Sequence, residues 1–327
     1  MELNKVYNED CLITMSKIKD KSVNLIIADF PYFEVKGEFD FIWKDFNEFL
    51  EWVEICAKEF KRILADNGSL YVYGHAKKIA YKQIIFDKYF NLENHLIWDK
   101  IDTQARKGVE YFRSFAPVKE HILFYSNEIV NIEGLCVNNT REYIRNEILK
   151  AKGKIVFKEI NKVLGTATNG GGVASAVLSL EKTVPAMITE EHYKLLQEWL
   201  NSNSSGEYLK KDYEDLRRPF NNDKFTDVLS FIQEVNITGK YNHPTQKPPK
   251  LTKALIETSS RQNDLVYIPF GGSGTELEQC QVLNRKYIGS EIEPKYYEII
   301  LDRLKNAKGE VGLFSDEIIQ KGLFDAN

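Results

Sequence analysis

Residues 23–32 read VNLIIADFPY, an apolar run that ends in an acid, an aromatic residue, a proline and a tyrosine. A second stretch, residues 265–275, reads LVYIPFGGSGT. Each begins as a short buried strand and continues into a loop. The first loop offers a carboxylate and an aromatic ring, whereas the glycines of the second let a ligand approach the backbone closely. We expect the two loops to meet in one pocket.

The sequence around these two stretches alternates between strand and helix patterns. The predicted strands cover residues 5–7, 23–28, 69–73, 94–98, 121–125, 265–268 and 287–290. The predicted helices cover residues 46–64, 249–259, 275–283 and 295–305. Such alternation predicts an α/β fold with a parallel sheet.

The composition is that of an ordinary globular protein, and the 327 residues suffice for one large or two modest domains. No apolar run is long enough for a membrane helix and the N-terminus has no signal pattern, so we expect a cytoplasmic protein without membrane contact. Cys11, Cys56, Cys136 and Cys280 are too scattered for a zinc site or a disulfide framework, and we expect buried thiols. The net charge of −4 neither indicates nor excludes nucleic-acid binding, because only the contacting face has to be positive.

Residues 128–240 interrupt the alternation with mostly helical patterns. We interpret them as an insert that separates residues 1–127 from residues 241–327 of one α/β domain. Between Arg141 and Lys162 the insert carries seven basic and three acidic residues, a run that is more often a solvated helix face than a binding surface.

Two short amphipathic helices within the insert, residues 157–164 and 173–180, flank a glycine-rich turn. This arrangement resembles a helix-turn-helix unit, although an ordinary helical hairpin explains it equally well. Several polar and basic residues of the insert are candidates for contacts to DNA phosphates or base edges. They are Lys154, Lys158, Thr166, Thr168, Asn169, Lys210, Arg217 and Arg218.

The first loop suits methyl transfer to an exocyclic amino group of a nucleobase. Such an amine is a poor nucleophile because its lone pair is delocalised into the ring, and acceptors on both N–H groups draw the nitrogen toward a tetrahedral geometry. The Asp29 carboxylate and the Phe30 carbonyl are the two acceptors, and Pro31 restricts the backbone that aims this carbonyl. Tyr32 can stack on the base, which has to be flipped out of a duplex. The alternative is that Asp29 caps a turn and Tyr32 is ordinary packing.

Several motifs, taken in order, resemble those of β-class DNA amino-methyltransferases, which occur in bacterial modification systems. Residues 29–32 resemble the catalytic Asp-Pro-Pro-Tyr motif, and residues 268–275 resemble the Asp-Pro-Phe-x-Gly-Ser-Gly-Thr cofactor loop. Residues 8–12, 243–248 and 285–292 resemble further motifs on the cofactor side. The order, with the catalytic loop first, then an insert and then the cofactor loop, is also similar to that class.

The resemblance implies a Rossmann-like methyltransferase sheet with helices on both faces, S-adenosyl-L-methionine as cofactor, double-stranded DNA as substrate, and a target-recognition role for the insert. The implied catalytic residues are Asp29, Phe30, Pro31 and Tyr32. The implied cofactor-binding residues are Asp10, Thr245, Lys247, Phe270, Gly271, Gly272, Ser273, Gly274, Thr275 and Glu291, with Glu293 as an alternative to Glu291 at the ribose. An aspartate in the first catalytic position is similar to adenine-N6 enzymes, so a site-specific adenine methyltransferase is the leading interpretation. A homodimer and a restriction endonuclease partner are both compatible with it.

Two residues depart from the family motifs. Phe30 replaces the first proline of the catalytic motif, but the acceptor there is a backbone carbonyl. Ile268 replaces the aspartate of the cofactor loop, which removes a carboxylate for which Glu276 or Asp10 is a candidate substitute. These departures leave two alternatives open: a cytosine-N4 methyltransferase, and a sequence-specific DNA-binding protein that no longer catalyses.

Three further segments on the catalytic side are candidates for function. Residues 33–43 suit a loop that closes over the base, or a plain surface connection. His75 follows a strand and suits a cap better than an acid or base. Residues 113–121 precede a strand and are a candidate contact to the substrate strand.

Overall fold

The computed structural model describes residues 1–33, 43–101, 118–127, 129–130, 136–137, 139–169, 171–181, 186–202, 206–222, 224–232 and 246–307. Thr245, residues 34–42 and residues 113–117 lie outside these ranges. No helix within them is both long and apolar enough to cross a bilayer.

The described strands form one large mixed sheet and one small hairpin. In chain order they are β1 (Lys5–Tyr7), β2 (Val23–Ala28), β3 (Leu64–Gly74), β4 (Asn91–Asp99), β5 (Lys119–Ser126), β6 (Ile129–Val130), β7 (Cys136–Val137), β8 (Val228–Ser230), β9 (Leu265–Ile268) and β10 (Lys286–Ser290). The large sheet has the order β1-β10-β9-β2-β3-β5-β4-β8, and β6 pairs with β7. The strands predicted from the sequence are all present, and β3 begins five residues before its predicted start.

The sheet is parallel, as predicted, except at β5, which runs antiparallel to both of its neighbours, β3 and β4. Strands β4 and β5 are consecutive in the chain and adjacent in the sheet. Consecutive neighbours of this kind pair antiparallel, because parallel pairing requires the chain to cross back along the sheet. The other described pairings of the large sheet are parallel.

Helices pack on both faces of the large sheet, as predicted. They are α1 (Cys11–Ser16), α2 (Phe46–Ile63), α3 (Ile79–Phe86), α4 (Asn139–Lys152), α5 (Phe157–Val163), α6 (Val173–Leu178), α7 (Glu190–Ser202), α8 (Tyr213–Leu216), α9 (Pro249–Ser259), α10 (Thr275–Val282) and α11 (Pro294–Asn306). Residues of α1, α2 and α3 pack in one hydrophobic cluster with the sheet. Residues of α9, α10 and α11 pack in the other.

Strand β2 shows how the sequence produces this layering. Ile26 and Ala28 belong to the cluster on the α2 side, whereas Leu25 and Ile27 belong to the cluster on the α9 side. Successive side chains of a strand point to opposite faces, so a strand covered on both sides reads as a continuous apolar run. The cysteines Cys11, Cys56 and Cys280 are buried and free, as expected.

Helix α2 and the strand after it follow each other without a turn. The Asp45 side chain accepts hydrogen bonds from the backbone N–H groups of Asn47 and Glu48 and so caps the start of the helix. The helix ends at Ile63 because Leu64 is already extended and begins β3. The residues Asp-Asn-Gly at 66–68 lie in an irregular part of β3, between Leu64, which pairs with Val23, and Ser69, which pairs with Leu25.

Helices α4 to α8 form a helical unit around their own hydrophobic cluster, which includes Ile144, Ile160, Val177 and Leu196. This cluster supports the prediction of a helical insert. The strand β8, at residues 228–230, pairs with β4 of the large sheet. The described part of the helical unit thus ends before β8, earlier than the predicted boundary at residue 240.

Candidate active site

The two loops that the sequence singled out lie side by side at one edge of the sheet. Strands β2 and β9 are parallel neighbours, with Leu25 opposite Val266 and Ile26 opposite Tyr267. Their carboxyl ends therefore point the same way, and Asp29 and Pro269 follow directly. From this pair the sheet continues to β10 on one side and to β3 on the other, so the strand order reverses between β9 and β2. Open α/β sheets bind ligands at such a topological switch point.

A cavity of about 300 Å³ opens at this position, a size suited to a small-molecule ligand. Both loops line it, which confirms that they meet in one pocket. The lining residues are Glu9, Asp10, Cys11, Asp29, Phe30, Pro31, Tyr32, Trp43, Trp52, Pro269, Phe270, Gly272, Glu291, Ile292, Glu293 and Tyr296.

The cavity lining is acidic and aromatic. It includes the carboxylates of Glu9, Asp10, Asp29, Glu291 and Glu293, and no lysine or arginine among the described residues. Tryptophan, tyrosine and phenylalanine rings form much of the remaining wall. Carboxylates and the faces of aromatic rings both favour a positively charged ligand.

The glycine loop takes its shape from contacts that a larger side chain would break. A Cβ added to Gly271 would lie 2.6 Å from the Ile300 Cδ1 atom and 3.2 Å from the Ser290 carbonyl oxygen, so a larger residue requires the Ile300 side chain to move. Gly274 has a φ of 77° and precedes α10, in a left-handed conformation that glycine adopts readily. The Gly272 N–H donates a hydrogen bond of 2.7 Å to Glu291 Oε2. The loop after β9 is thus tied to the acid that follows β10.

Of the two candidate ribose-binding acids, Glu291 and Glu293, the Glu291 carboxylate is the one that is oriented by backbone hydrogen bonds. Its Oε2 atom accepts from Gly272 N, and its Oε1 atom accepts from Glu293 N at 2.9 Å. Burial raises the pKa of the Glu291 carboxyl, and these backbone hydrogen bonds oppose that rise. Glu293 also lines the cavity but is exposed. The geometry therefore favours Glu291 as the oriented acceptor.

The remaining predicted cofactor residues are divided between the cavity and its supports. Asp10 lines the cavity and caps α1 by accepting from the Leu12 N–H at 2.7 Å. Phe270 lines it as well, whereas Ser273 and Thr275 are buried outside the lining and join their hydroxyl groups at 3.2 Å. Gly271 and Gly274 do not line the cavity, and their role is to shape the glycine loop.

Asp29 has both carboxylate oxygens engaged. The Tyr32 hydroxyl donates to its Oδ1 atom at 2.9 Å, and the Lys247 ammonium lies 2.9 Å from its Oδ2 atom. Burial raises the pKa of Asp29, the Lys247 charge opposes this, and the Glu120 charge adds to it. Asp29 thus holds a defined orientation at the end of the cavity.

The structure places Lys247 at the catalytic loop. It does not line the cavity, and its ammonium contacts Asp29, Tyr32 and Glu120 at distances between 2.8 and 3.0 Å. The reason is electrostatic, since a lysine only 3% exposed requires carboxylate partners. The predicted role in holding the cofactor therefore does not match its position.

Glu120 is a site residue that the sequence did not single out by itself. It lies on β5, its Oε2 atom contacts Lys247 at 3.0 Å, and its Oε1 atom contacts Lys100 at 2.6 Å. Burial opposes ionisation of Glu120, but the Lys247 and Lys100 ammonium groups together lower its pKa to about 2. The available signal was its place in residues 113–121, the candidate substrate contact.

The two departures from the family motifs have different structural consequences. The Phe30 side chain is buried, and its ring centroid lies 4.8 Å from that of Phe270. Ile268 is buried in the hydrophobic cluster on the α9 side of the sheet. Of its two candidate substitutes, Asp10 lines the cavity and Glu276 does not.

The candidate DNA contacts of the helical unit are not brought to this cavity. The described contacts between the unit and the sheet include Asn67 Nδ2 to the Arg217 carbonyl at 3.3 Å and Lys211 to Asp66 at 3.6 Å. Asp66 and Asn67 lie near the start of β3, whereas Ala28 pairs with Val72 near its end. These two contacts therefore lie near the opposite end of β3 from the level of Asp29.

Individual candidates of the unit have structural partners or are simply exposed. The Arg218 guanidinium lies over the Phe124 ring and 3.5 Å from Glu93, and the Lys210 ammonium pairs with Glu207 at 2.9 Å. The Thr166 hydroxyl donates to Asn161 at 3.0 Å within the turn before α6. The exposed candidates are Lys154, Lys158, Thr168, Asn169 and Arg217. Helices α5 and α6 pack in one hydrophobic cluster, which is compatible with both a helical hairpin and a helix-turn-helix unit.

Comparisons with known proteins agree with this geometry. A family model for N6- and N4-methyltransferases, described as DNA methylase, matches residues 23–302. The type II methyltransferase M.HinfI of Haemophilus influenzae is 27% identical over 335 residues, covering 97% of this chain and 73% of its own. The DNA adenine methyltransferase YhdJ of Escherichia coli strain K12 is 25% identical over 308 residues, covering 93% of this chain and 83% of its own.

Two solved structures share the fold. The cytosine-N4-specific PvuII DNA methyltransferase has a TM-score of 0.53 and 15% identity, with 97% of this chain and 90% of that chain covered. The M1.HpyAVI–SAM complex has a TM-score of 0.50 and 18% identity, with 92% of this chain and 99% of that chain covered. At these identities the likeness concerns the fold.

Proposed function

Because the chain belongs to the N6/N4 DNA methylase family, we propose that it methylates the N6 amino group of adenine at specific sites in DNA. Enzymes of this family move a methyl group from S-adenosyl-L-methionine to an exocyclic amine of adenine or cytosine. The observation that carries the proposal is the single cavity that Asp29 and Glu291 both line. In this cavity Asp29 would bind the target amine, and Glu291 would bind the methyl donor.

The cavity fits the methyl donor by charge and by shape. When bound, S-adenosyl-L-methionine supplies a methyl group attached to a sulfonium sulfur, and this sulfur becomes a neutral thioether once the methyl group is transferred. The cofactor has a net positive charge, because its ammonium and sulfonium groups carry two positive charges and its carboxylate one negative charge. Five carboxylates and several aromatic rings line the cavity. Glu291 would accept the ribose hydroxyls, Asp10 would lie toward the adenine, and Phe270 would pack against the ligand. The glycine loop would lie along the methionine part.

The catalytic loop would act on the amine by orientation and electrostatics. The Asp29 carboxylate accepts one N–H of the target amine, and the Phe30 carbonyl accepts the other. These two bonds localise the lone pair on nitrogen and turn it toward the methyl carbon. Once the N–C bond forms, the nitrogen carries one proton too many, and this proton leaves along the hydrogen bond to Asp29 or to solvent.

Tyr32 lines the same cavity and is placed to hold the flipped base. Its hydroxyl donates to Asp29, and burial together with the neighbouring carboxylates raises the Tyr32 pKa well above its usual value. The hydroxyl therefore stays protonated and continues to fix Asp29. The ring then remains available to stack on a base that has left the duplex.

Adenine is the favoured target base for two reasons. The catalytic motif begins with Asp29, as in the adenine-N6 enzymes that it resembles. YhdJ, which covers most of this chain in alignment, is a DNA adenine methyltransferase by name. Cytosine-N4 methylation is the second candidate, because its amine presents the same two N–H groups to Asp29 and Phe30.

Product analysis tests the proposal directly. The purified protein is incubated with duplex DNA of diverse sequence and S-adenosyl-L-methionine, and the digested nucleosides are analysed by mass spectrometry. We expect N6-methyldeoxyadenosine, confined to one sequence motif when the DNA is read by modification-sensitive sequencing. N4-methyldeoxycytidine would contradict the choice of base. Binding of DNA without any methylated nucleoside would favour the non-catalytic alternative.

A further inference from the structure

Lys247 is the centre of a buried polar network beside the proposed methylation site. Its ammonium contacts Asp29 Oδ2 at 2.9 Å, Glu120 Oε2 at 3.0 Å and the Tyr32 hydroxyl at 2.8 Å. An ammonium has three N–H donors, so these three partners account for all of them. Such complete satisfaction fixes the position of a side chain that would otherwise be flexible.

Glu120 has a comparable arrangement of its own. One carboxylate oxygen contacts Lys247, and the other contacts Lys100 at 2.6 Å. Glu120 stands opposite Trp98 in the pairing of β4 with β5, and Lys100 follows β4 directly. Lysine and carboxylate therefore alternate along Lys100, Glu120, Lys247 and Asp29, with two positive and two negative charges.

The groups that face Asp29 from the surrounding elements are mostly acidic or neutral. They are Lys247 before α9, Glu120 on β5, Tyr32 in the same loop, Tyr73 on β3 and Glu276 on α10. The buried Lys82 of α3 lies beside the same loop, with its ammonium 5.8 Å from the centroid of the Tyr32 ring, and Lys247 is the cation that contacts Asp29. Without it, three carboxyl groups would share a poorly hydrated region, a situation that favours protonation of at least one of them.

We propose that Lys247 and Glu120 are positioning residues: Lys247 holds the Asp29 carboxylate ionised and oriented toward the target amine, and Glu120 orients Lys247. The charge of Glu120 itself opposes the ionisation of Asp29. Lys247 contacts Asp29 directly, and Glu120, anchored by Lys100, keeps Lys247 in place. This proposal rests on the function proposed above, because it assigns Asp29 as the acceptor of the amine N–H. A protonated Asp29 has lost one acceptor site and donates from the oxygen that should accept.

The network predicts that two variants shift the pKa of Asp29 in opposite directions. Lys247→Met removes the positive charge and leaves Asp29 facing Glu120, so protonation of Asp29 becomes easier. Glu120→Gln removes a negative charge but keeps a side-chain oxygen that can accept from Lys247, so Lys247 stays in place and protonation of Asp29 becomes harder. A general loss of structure would not produce opposite effects.

The decisive readout is the ionisation of Asp29 itself, which does not depend on catalysis. The full chain is labelled with ¹³Cγ-aspartate, the Asp29 signal is assigned by its loss in Asp29→Asn, and its pKa is measured by NMR titration. We expect Lys247→Met to raise the Asp29 pKa by about 1–3 pH units and Glu120→Gln to lower it. The matched controls Lys250→Met and Glu51→Gln, at exposed positions of α9 and α2, should leave it unchanged.

Single-turnover methylation supplies the second readout. Its acid limb, where the rate falls as Asp29 gains a proton, should move to higher pH in Lys247→Met and to lower pH in Glu120→Gln. At neutral pH Lys247→Met should lose about 10²-fold in rate, Lys247→Arg should recover part of it, and the affinity for S-adenosyl-L-methionine should stay near that of the wild type.

The outcomes separate this proposal from the proposed function. Shifts of the Asp29 pKa in the same direction in both variants, or in neither, would overturn the positioning role even if the wild type methylates DNA. Opposite pKa shifts in a protein that methylates no nucleic acid would support the network and contradict the function. A circular-dichroism spectrum of each variant shows whether it folds, and Lys247→Arg provides a folded counterpart if Lys247→Met does not.

Discussion

The rings of Phe30 and Phe270 lie 4.8 Å apart, centroid to centroid, and join the catalytic loop to the cofactor loop across the boundary between β2 and β9. The Phe30 ring also contacts Trp52, Phe60 and Phe86. Phe30, which replaces the proline of the family motif, thus packs in the hydrophobic core beneath both loops. Its backbone carbonyl is a separate group and remains an acceptor.

Replacing Phe30 should affect stability more than chemistry. Phe30→Ala removes a fully buried ring and should lower the free energy of unfolding by about 3–5 kcal/mol, measured by urea denaturation. Phe30→Pro, which restores the motif, should lose similar packing yet retain methylation, because the carbonyl at position 30 is preserved. Phe225→Ala, at a partly exposed ring, is the control for packing. Loss of methylation in a folded Phe30→Pro protein would argue against the carbonyl as acceptor.

Glu291 should contribute more to cofactor affinity than Glu293. Its carboxylate is held by two backbone N–H groups beside the glycine loop, whereas Glu293 is exposed. We expect Glu291→Gln to weaken S-adenosyl-L-methionine binding by about tenfold or more, since a charged acceptor becomes neutral. Glu293→Gln should weaken it by less than about threefold. Calorimetric titration of both variants checks this, and the reverse order would assign the ribose to Glu293.

Glu276 should make the protein less stable as the pH rises. Burial, followed by the nearby Asp29 charge, raises its pKa to about 7, and its Oε1 atom has no hydrogen-bond partner among the described residues. Between its ordinary pKa of 4.5 and about 7 the folded protein keeps a proton that the unfolded chain releases. Stability from this group is therefore complete below pH 4.5 and declines by on the order of 3 kcal/mol as the pH passes 7.

The variant Glu276→Gln tests this sign. Its free energy of unfolding should exceed that of the wild type at pH 8 and approach it at pH 5, where Glu276 is mostly protonated. Urea denaturation at the two pH values measures both differences. Glu298→Gln, on the exposed side of α11, should show no such dependence. Equal effects of Glu276→Gln at both pH values would contradict a raised pKa.

The basic residues of the helical unit should matter little for DNA affinity. Lys154 and Lys158 are exposed, neither lines the cavity, and a basic run of this kind is more often a solvated helix face than a binding surface. We expect Lys154→Ala combined with Lys158→Ala to change the dissociation constant for duplex DNA by less than about threefold. A fall in the slope of log K against log salt by about one per lysine would show that they do contact phosphates.

The sequence predicted the meeting of the two loops because both are strand ends, and parallel strands place their carboxyl ends at one edge. It also predicted the boundaries of α2, α9, α10 and α11 to within about two residues, since apolar spacing and caps are local signals, but it did not predict the short helices α1 and α3. The antiparallel β5 and the position of the helical unit were not predictable in this way. Both depend on which distant surfaces fit together.

The roles of Lys247 and Glu120 show the same limit at the level of single residues. Lys247 belongs to residues 243–248, a motif associated with the cofactor, and only its burial against Asp29 reveals a different partner. Glu120 is 91 residues from Asp29 in the chain and follows no recognisable motif. Charge pairing of this kind is set by tertiary packing, and a linear pattern does not record it.

The most direct test of the account is the single-turnover methylation rate of Asp29→Asn on duplex DNA with saturating S-adenosyl-L-methionine. Asparagine has nearly the same shape, but its amide is neutral and presents an N–H donor beside a weaker acceptor. We predict a loss of at least about 10³-fold in rate, with cofactor affinity within about threefold of the wild type. A variant that binds cofactor and methylates adenine at the wild-type rate would contradict Asp29 as the acceptor of the amine.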